Sequence, residues 1–94
     1  MSDRLEPGRL VVSTAGRDRG KHYLVLEKAP DNRVYVVDGE IRRVANPKRK
    51  NEKHLRSCPE MSAEINEKIK AGLKVTDLDI RRALREIITS YVDG

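Results

Sequence analysis

No stretch limits the possible folds of this chain more than residues 8–27. They hold two short alternating runs, 9–14 and 22–27, joined by a loop that glycines bracket. Gly16 and Gly20 suit a tight connection because glycine enters positive φ without a Cβ clash. Arg17, Asp18, Arg19 and Lys21 lie between and beside them, too charged for a buried turn. The pattern predicts two β-strands whose connecting loop presents cations, an arrangement able to hold phosphate oxygens.

The strand signals continue beyond this pair. In the first run Leu10 and Val12 share one face, with Val11 and Ser13 on the other. In the second, His22, Leu24 and Leu26 oppose Tyr23 and Val25. Apolar residues on both faces predict curvature into a closed barrel rather than a one-sided sheet. Pro30-Asp31-Asn32 marks a turn, and Val34 to Val37 make 33–37 a third strand. Asp38-Gly39 is a type I′ hairpin signal that predicts a fourth strand at 41–44, stopped by Asn46-Pro47. A short fifth strand over 53–57 would close the barrel.

At Cys58-Pro59 the character changes to helical. Ser62 is an N-cap for a helix over 63–71, with Ile65 and Ile69 four apart, Glu64 paired to Lys68 and Gly72 as the stop. Thr76 and Asp79 form a capping box for a second helix, whose apolar face runs Ile80, Leu84, Ile87, Ile88 and Tyr91. The expected division is a flexible tail over 1–7, a barrel over 8–58 and a helical extension over 59–94.

Charge narrows the function classes. Charged residues make up 37% of the 94, against about 25% in a typical soluble domain. The net charge of +5 favours a polyanionic partner. The core must be small and built from aliphatic residues and three tyrosines, since Phe and Trp are absent. Cys58 is the sole cysteine, so no intramolecular disulfide forms, in keeping with a reducing compartment. The first residues lack the apolar core of a signal peptide, and no run reaches the roughly 18 apolar residues of a membrane span. A cytoplasmic protein is expected.

The series Gly8-Arg9, Val11, Ser13, Ala15-Gly16-Arg17-Asp18, Gly20-Lys21 resembles the KOW motif, most closely that of ribosomal protein family fourteen-e of the archaeal and eukaryotic large subunit. A second segment, Asn46-Pro47-Lys48-Arg49-Lys50-Asn51 with Lys53-His54-Leu55, also resembles that family. Two matches in order over about the first two-thirds of the chain are far more specific than one glycine-rich loop. The helical tail is more similar to that of short bacterial KOW-domain RNA-binding proteins. The resemblance implies an SH3-like five-stranded β-barrel, a KOW domain, followed by two C-terminal α-helices: mainly β with an α tail.

The resemblance also implies ribosomal RNA of the large subunit as partner, bound by a ribosomal component or a visiting factor. Arg17, Arg19, Lys21, Arg42, Arg43, Lys48, Arg49, Lys50, Lys53 and His54 are the candidate RNA-binding residues. For an isolated basic run the ordinary explanation is a solvated loop; here two such runs would converge at one barrel end. The Lys48–Arg49–Lys50 triplet follows a proline, and at least two of its side chains are expected to face outward. Tyr23 and Tyr35 can stack on bases, but filling the barrel is the commoner role.

No constellation supports catalysis. His54 and Cys58 lie four apart, yet structural zinc needs about four ligands and the chain has three His and Cys in total. A nucleophilic cysteine would need a base and an orienting third group. No metal or cofactor is expected. The helices would lie on the barrel or meet ribosomal proteins, and the free chain is expected to be monomeric. The rival function is a protein-interaction adaptor or a transcription-elongation KOW module, although an aromatic-lined proline-binding groove fits poorly with three tyrosines.

Overall fold

Alternating runs become strands where their backbone groups find partners, and the first three runs do so in sequence order. The computed structural model describes residues 5–93, with side chains described for 5–90. These residues form β1 (Arg9–Ser13), β2 (His22–Ala29), β3 (Arg33–Val37), β4 (Lys48–Asn51), a 3-10 turn (Glu52–His54), β5 (Leu55–Met61), α1 (Ala63–Lys70) and α2 (Asp77–Asp93). All four strand pairings are antiparallel, in the order β4-β3-β2-β1-β5. The fold is therefore mainly β, a five-stranded antiparallel sheet with two C-terminal helices.

The hairpin joining β2 and β3 carries the turn chemistry. Asp31 and Asn32 both have positive φ, at 61° and 58°, and the Arg33 amide donates to the Pro30 carbonyl at 3.3 Å. Two consecutive left-handed residues are the mark of a type I′ turn, so that geometry belongs here and not to Asp38-Gly39. At 38–44 the chain forms no strand. Asp38 Oδ1 accepts from the amides of Glu40 and Arg42, at 3.0 and 2.8 Å, which folds the segment back on itself. The Val44 amide then donates to Asp77 Oδ1 at 2.8 Å, and Arg81 Nη1 to the Gly39 carbonyl at 2.8 Å. With its polar backbone satisfied by a carboxylate and by α2, this segment has no need of a ladder.

The place beside β3 is taken instead by Lys48–Asn51, whose register pairs Val36 with Lys48, Tyr35 with Arg49 and Val34 with Lys50. The fifth strand likewise starts later than 53, because Asn51 caps a 3-10 turn by accepting from the Lys53 amide at 2.9 Å. That short turn shapes the whole sheet. Five flat strands about 4.8 Å apart would hold β4 and β5 about 19 Å from each other. The four steps from Asn51 to Leu55 span at most about 14 Å. The sheet must curl, yet no ladder joins β4 to β5 among the described residues, so it is not closed.

Curling gives the sheet two apolar faces with different covers. Inside the curl lie Leu5, Val11, Tyr23, Val25, Val34 and Val36, with Leu55 against them. Leu10, Leu24 and Val37 face the other way, onto Ile65, Val75, Ile80, Ala83 and Leu84 of the helical part. The α2 stripe thus lies on the sheet, with Ile87 and Ile88 packed at its margin; the Tyr91 side chain lies outside the described residues. Ser62 Oγ accepts from the Ile65 amide, and α1 stops at Gly72 (φ 73°) in a Schellman motif. There the Leu73 and Gly72 amides donate to the carbonyls of Lys68 and Ile69. Thr76 and Asp79 form the reciprocal capping box at 3.0 and 3.1 Å.

The start of the chain is not loose where it is described. Leu5 is buried, Glu6 pairs with Arg9 at 2.6 Å, and the Pro7 carbonyl accepts from Asn66 Nδ2 at 2.8 Å. Residues 1–4 of the expected tail lie outside the described residues. Gly8, at φ 87°, is wedged so closely that a Cβ would sit 2.7 Å from the Ser62 carbonyl oxygen.

Candidate functional site

The register of β4 decides what the basic triplet does. Residues directly opposite across an antiparallel pair share a face. Lys48 and Lys50 therefore follow Val36 and Val34 into the curl, while Arg49 follows Tyr35 to the outside. Of the triplet only Arg49 is exposed; Lys48 is half-buried and Lys50 is 7% exposed. The expectation of two outward cations fails because a strand alternates where a loop need not.

An ammonium inside a curl needs acceptors, and the β1–β2 loop supplies them. Lys50 Nζ donates to Ser13 Oγ at 2.9 Å, to the Ala15 carbonyl at 3.0 Å and to Asp18 Oδ1 at 3.1 Å. Asp18 Oδ1 also accepts from Ser13 Oγ at 2.9 Å, and its Oδ2 accepts from the Tyr23 hydroxyl at 2.7 Å. Lys48 Nζ lies 3.3 Å from the same Oδ2. Burial pushes the Asp18 pKa up, but the four donors Tyr23, Ser13, Lys50 and Lys48 outweigh it and hold the carboxyl well below the usual range. Burial and the Asp18 carboxylate together push the Tyr23 phenol up, keeping it a donor.

This cluster links the β1–β2 loop to edge strand β4, where the backbone makes no ladder. A second tie holds the other flank of the same loop: Lys21 Nζ lies 2.7 Å from Asp38 Oδ2 and 5.4 Å from the Tyr23 ring centre. Burial raises the Asp38 pKa, but the bond from Lys21 and the amides of Glu40 and Arg42 bring it below normal. Asp38 thus both folds the 38–42 segment and anchors the loop.

With the loop pinned on both flanks, its remaining cations point away. Arg17 and Arg19 flank Asp18 and are exposed. Arg49, Lys53 and His54 are exposed on β4 and the 3-10 turn, and the His54 carbonyl accepts from the Thr14 amide at 2.9 Å, which holds that turn beside the loop. Arg17, Arg19, Arg49 and Lys53 make no ion pair among the described residues. Arg43 is exposed with Nε on the Glu40 carbonyl; Arg42 is half-buried, its carbonyl taken by the amides of Asp38 and Gly39. The ten candidate residues thus divide into cations spent inside the protein (Lys21, Lys48, Lys50) and cations left for solvent or a partner.

Sequence reading missed Asp18 and Asp38 as organisers. The one available signal was a lone acid, Asp18, in an otherwise cationic loop, a local negative charge that cations from elsewhere in the chain can meet. Tyr23 fills the curl, with its hydroxyl on Asp18, whereas Tyr35 is half-buried on the outer face. His54 and Cys58 are separated by about 13 Å of extended chain. Burial pushes the Cys58 thiol pKa up, the opposite of an activated nucleophile. Among the described residues no group of three or more His, Cys, Asp or Glu side chains is arranged to hold a metal ion. No helix among them is long and apolar enough to cross a membrane. The chain matches no model of a known protein family.

Proposed function

We propose that this chain is a non-catalytic RNA-binding protein of the cytoplasm whose curled sheet is an SH3-like barrel of the KOW kind. Its target is ribosomal RNA of the large subunit, met as a ribosomal component or an associated factor. The observation that carries the reading is the sorting of cations: Arg17, Arg19, Arg49 and Lys53 are exposed and make no ion pair among the described residues, around a loop whose other charges are tied down. Holding a loop rigid while leaving its outer cations unsatisfied suits a pre-arranged set of phosphate contacts. Arg43 and His54 extend the same surface. The resemblance of residues 8–27 and 46–55 to ribosomal family fourteen-e adds the choice of RNA.

The test replaces Arg17, Arg19, Arg49 and Lys53 together by Gln and measures binding to large-subunit ribosomal RNA against salt. Every cation that neutralises a phosphate should, once replaced, take roughly 0.7–0.9 from the slope of log affinity against log salt. The control changes exposed Lys70, Lys74, Arg82 and Arg85 to Gln, removing equal charge from the helical part. Equal weakening by both sets would mean attraction by net charge alone and would overturn the reading. Co-sedimentation with ribosomes that survives nuclease treatment would favour the protein-adaptor function instead.

A further inference from the structure

A cleft of about 360 Å³ opens beside β3 on the outer face of the sheet, between β2 and the α1–α2 connection. Its lining is mixed: Leu26, Val44, Val75 and Leu73 give apolar surface beside polar groups, with half-buried Tyr35 on one side. Glu27 is the one acidic residue of this lining. Successive strand residues normally face opposite ways, so Leu26 and Glu27 should not line one cavity. They do so because the register slips between Val25 and Glu27: Val25 pairs with Val36, Glu27 with Tyr35, and Leu26 is the extra residue. Bulges of this kind re-aim a side chain and cluster beside binding sites. Leu73, at the mouth, is 61% exposed, an apolar surface left open. Across the ladder from Tyr35 stands exposed Arg49, one of the cations of the proposed RNA surface.

We propose that this cleft receives one unpaired guanine base of the bound RNA, an inference that rests on the RNA-binding reading above. A partly apolar cleft with an aromatic wall suits a base lifted out of a stack. An ionised carboxylate only accepts hydrogen bonds, and guanine alone among the four bases offers two adjacent donors, N1–H and the 2-amino group, on its pairing edge. Glu27 accepts both, Tyr35 covers the ring, and Arg49 takes a flanking phosphate. Adenine and cytosine each bring one donor beside an acceptor that would face the carboxylate, and uracil brings one donor between two carbonyls.

The test uses fluorescein-labelled dodecamers of uridine with a single central guanosine, adenosine, inosine or uridine, and reads anisotropy at low salt. The guanosine strand should bind at least about fivefold tighter than the adenosine strand, the low end for a bidentate contact. Inosine, which keeps N1–H but lacks the 2-amino group, should fall between them. Glu27→Gln, at an exposed position that folding tolerates, should erase most of the guanosine preference and leave the salt slope unchanged. Equal affinity for all four strands with a normal salt slope would overturn the guanine site while leaving the RNA reading standing. Absence of binding to every strand would overturn the guanine site, and absence of binding to large-subunit ribosomal RNA as well would overturn both. A guanosine preference that survives Glu27→Gln would place recognition elsewhere and sink the assignment of this cleft.

Discussion

Arg49 and Lys50 are neighbours in the chain and carry the same charge, yet they have opposite fates. Lys50 reaches through the curl to Asp18, Ser13 and the Ala15 carbonyl, while Arg49 stands in solvent. The difference comes from the two-residue period of β4, not from any preference of lysine or arginine. A basic run is therefore not one unit. Part of it is structural, neutralised where the sheet leaves a gap in its backbone pairing, and part remains available to an anion.

The strongest challenge to this contrast is to remove the shared acceptor. Asp18→Ala leaves Lys50 buried without its counter-charge and frees Lys48 and Tyr23, which should cost about 3 kcal/mol. For a domain of this size that lowers the melting temperature by upwards of about 12 °C. A fall of a degree or two in a thermal melt would mean that the cluster merely decorates a curl held by apolar packing.

Lys50→Met should come next, at about 2 kcal/mol, because Asp18 keeps Ser13, Tyr23 and Lys48. Its value lies in the second readout. A cation spent inside the protein touches no phosphate, so affinity extrapolated to the folded fraction should keep its full salt slope. A reduced slope would return Lys50 to the set of RNA contacts.

Acidity probes the same contrast at smaller amplitude. Asp18 and Asp38 are both lowered in the folded state, so the stability they lend is present above the unfolded carboxylate value of about 4 and is lost as pH falls through their folded values. Tyr23 is raised, so its contribution is present below about pH 10 and is lost as pH climbs beyond. Stability should form a plateau between those limits. Asp18→Asn should flatten the acid side, which chemical denaturation at stepped pH would show; an unaltered acid limb would assign that limb to other carboxylates.

The smallest effect on folding belongs to the exposed set. Arg17, Arg19, Arg49 and Lys53 changed singly to Gln should each stay within about 0.5 kcal/mol of the parent by thermal melt, since none makes an ion pair among the described residues. A larger drop at Arg49 would show that the two halves of the triplet are not as separate as their burial implies.

Much of this protein could be read without coordinates. Strands β1 to β3, the turn at Asp31-Asn32, the Ser62 cap, the Thr76–Asp79 capping box and the α2 stripe all carry their signal in local composition and spacing, whatever they later pack against. What the sequence alone could not determine is which segment lies beside β3. Residues 41–44 have the better strand composition, and Lys48–Asn51 has the poorer. The choice turned chiefly on partners far along the chain: beside the local bonds of Asp38, Asp77 takes the Val44 amide of the first segment, and Asp18 neutralises the inward lysines of the second. A lysine can occupy the inside of a curled sheet only when an acid 32 residues earlier folds back to meet it. That meeting exists in the tertiary structure and in no window of the sequence.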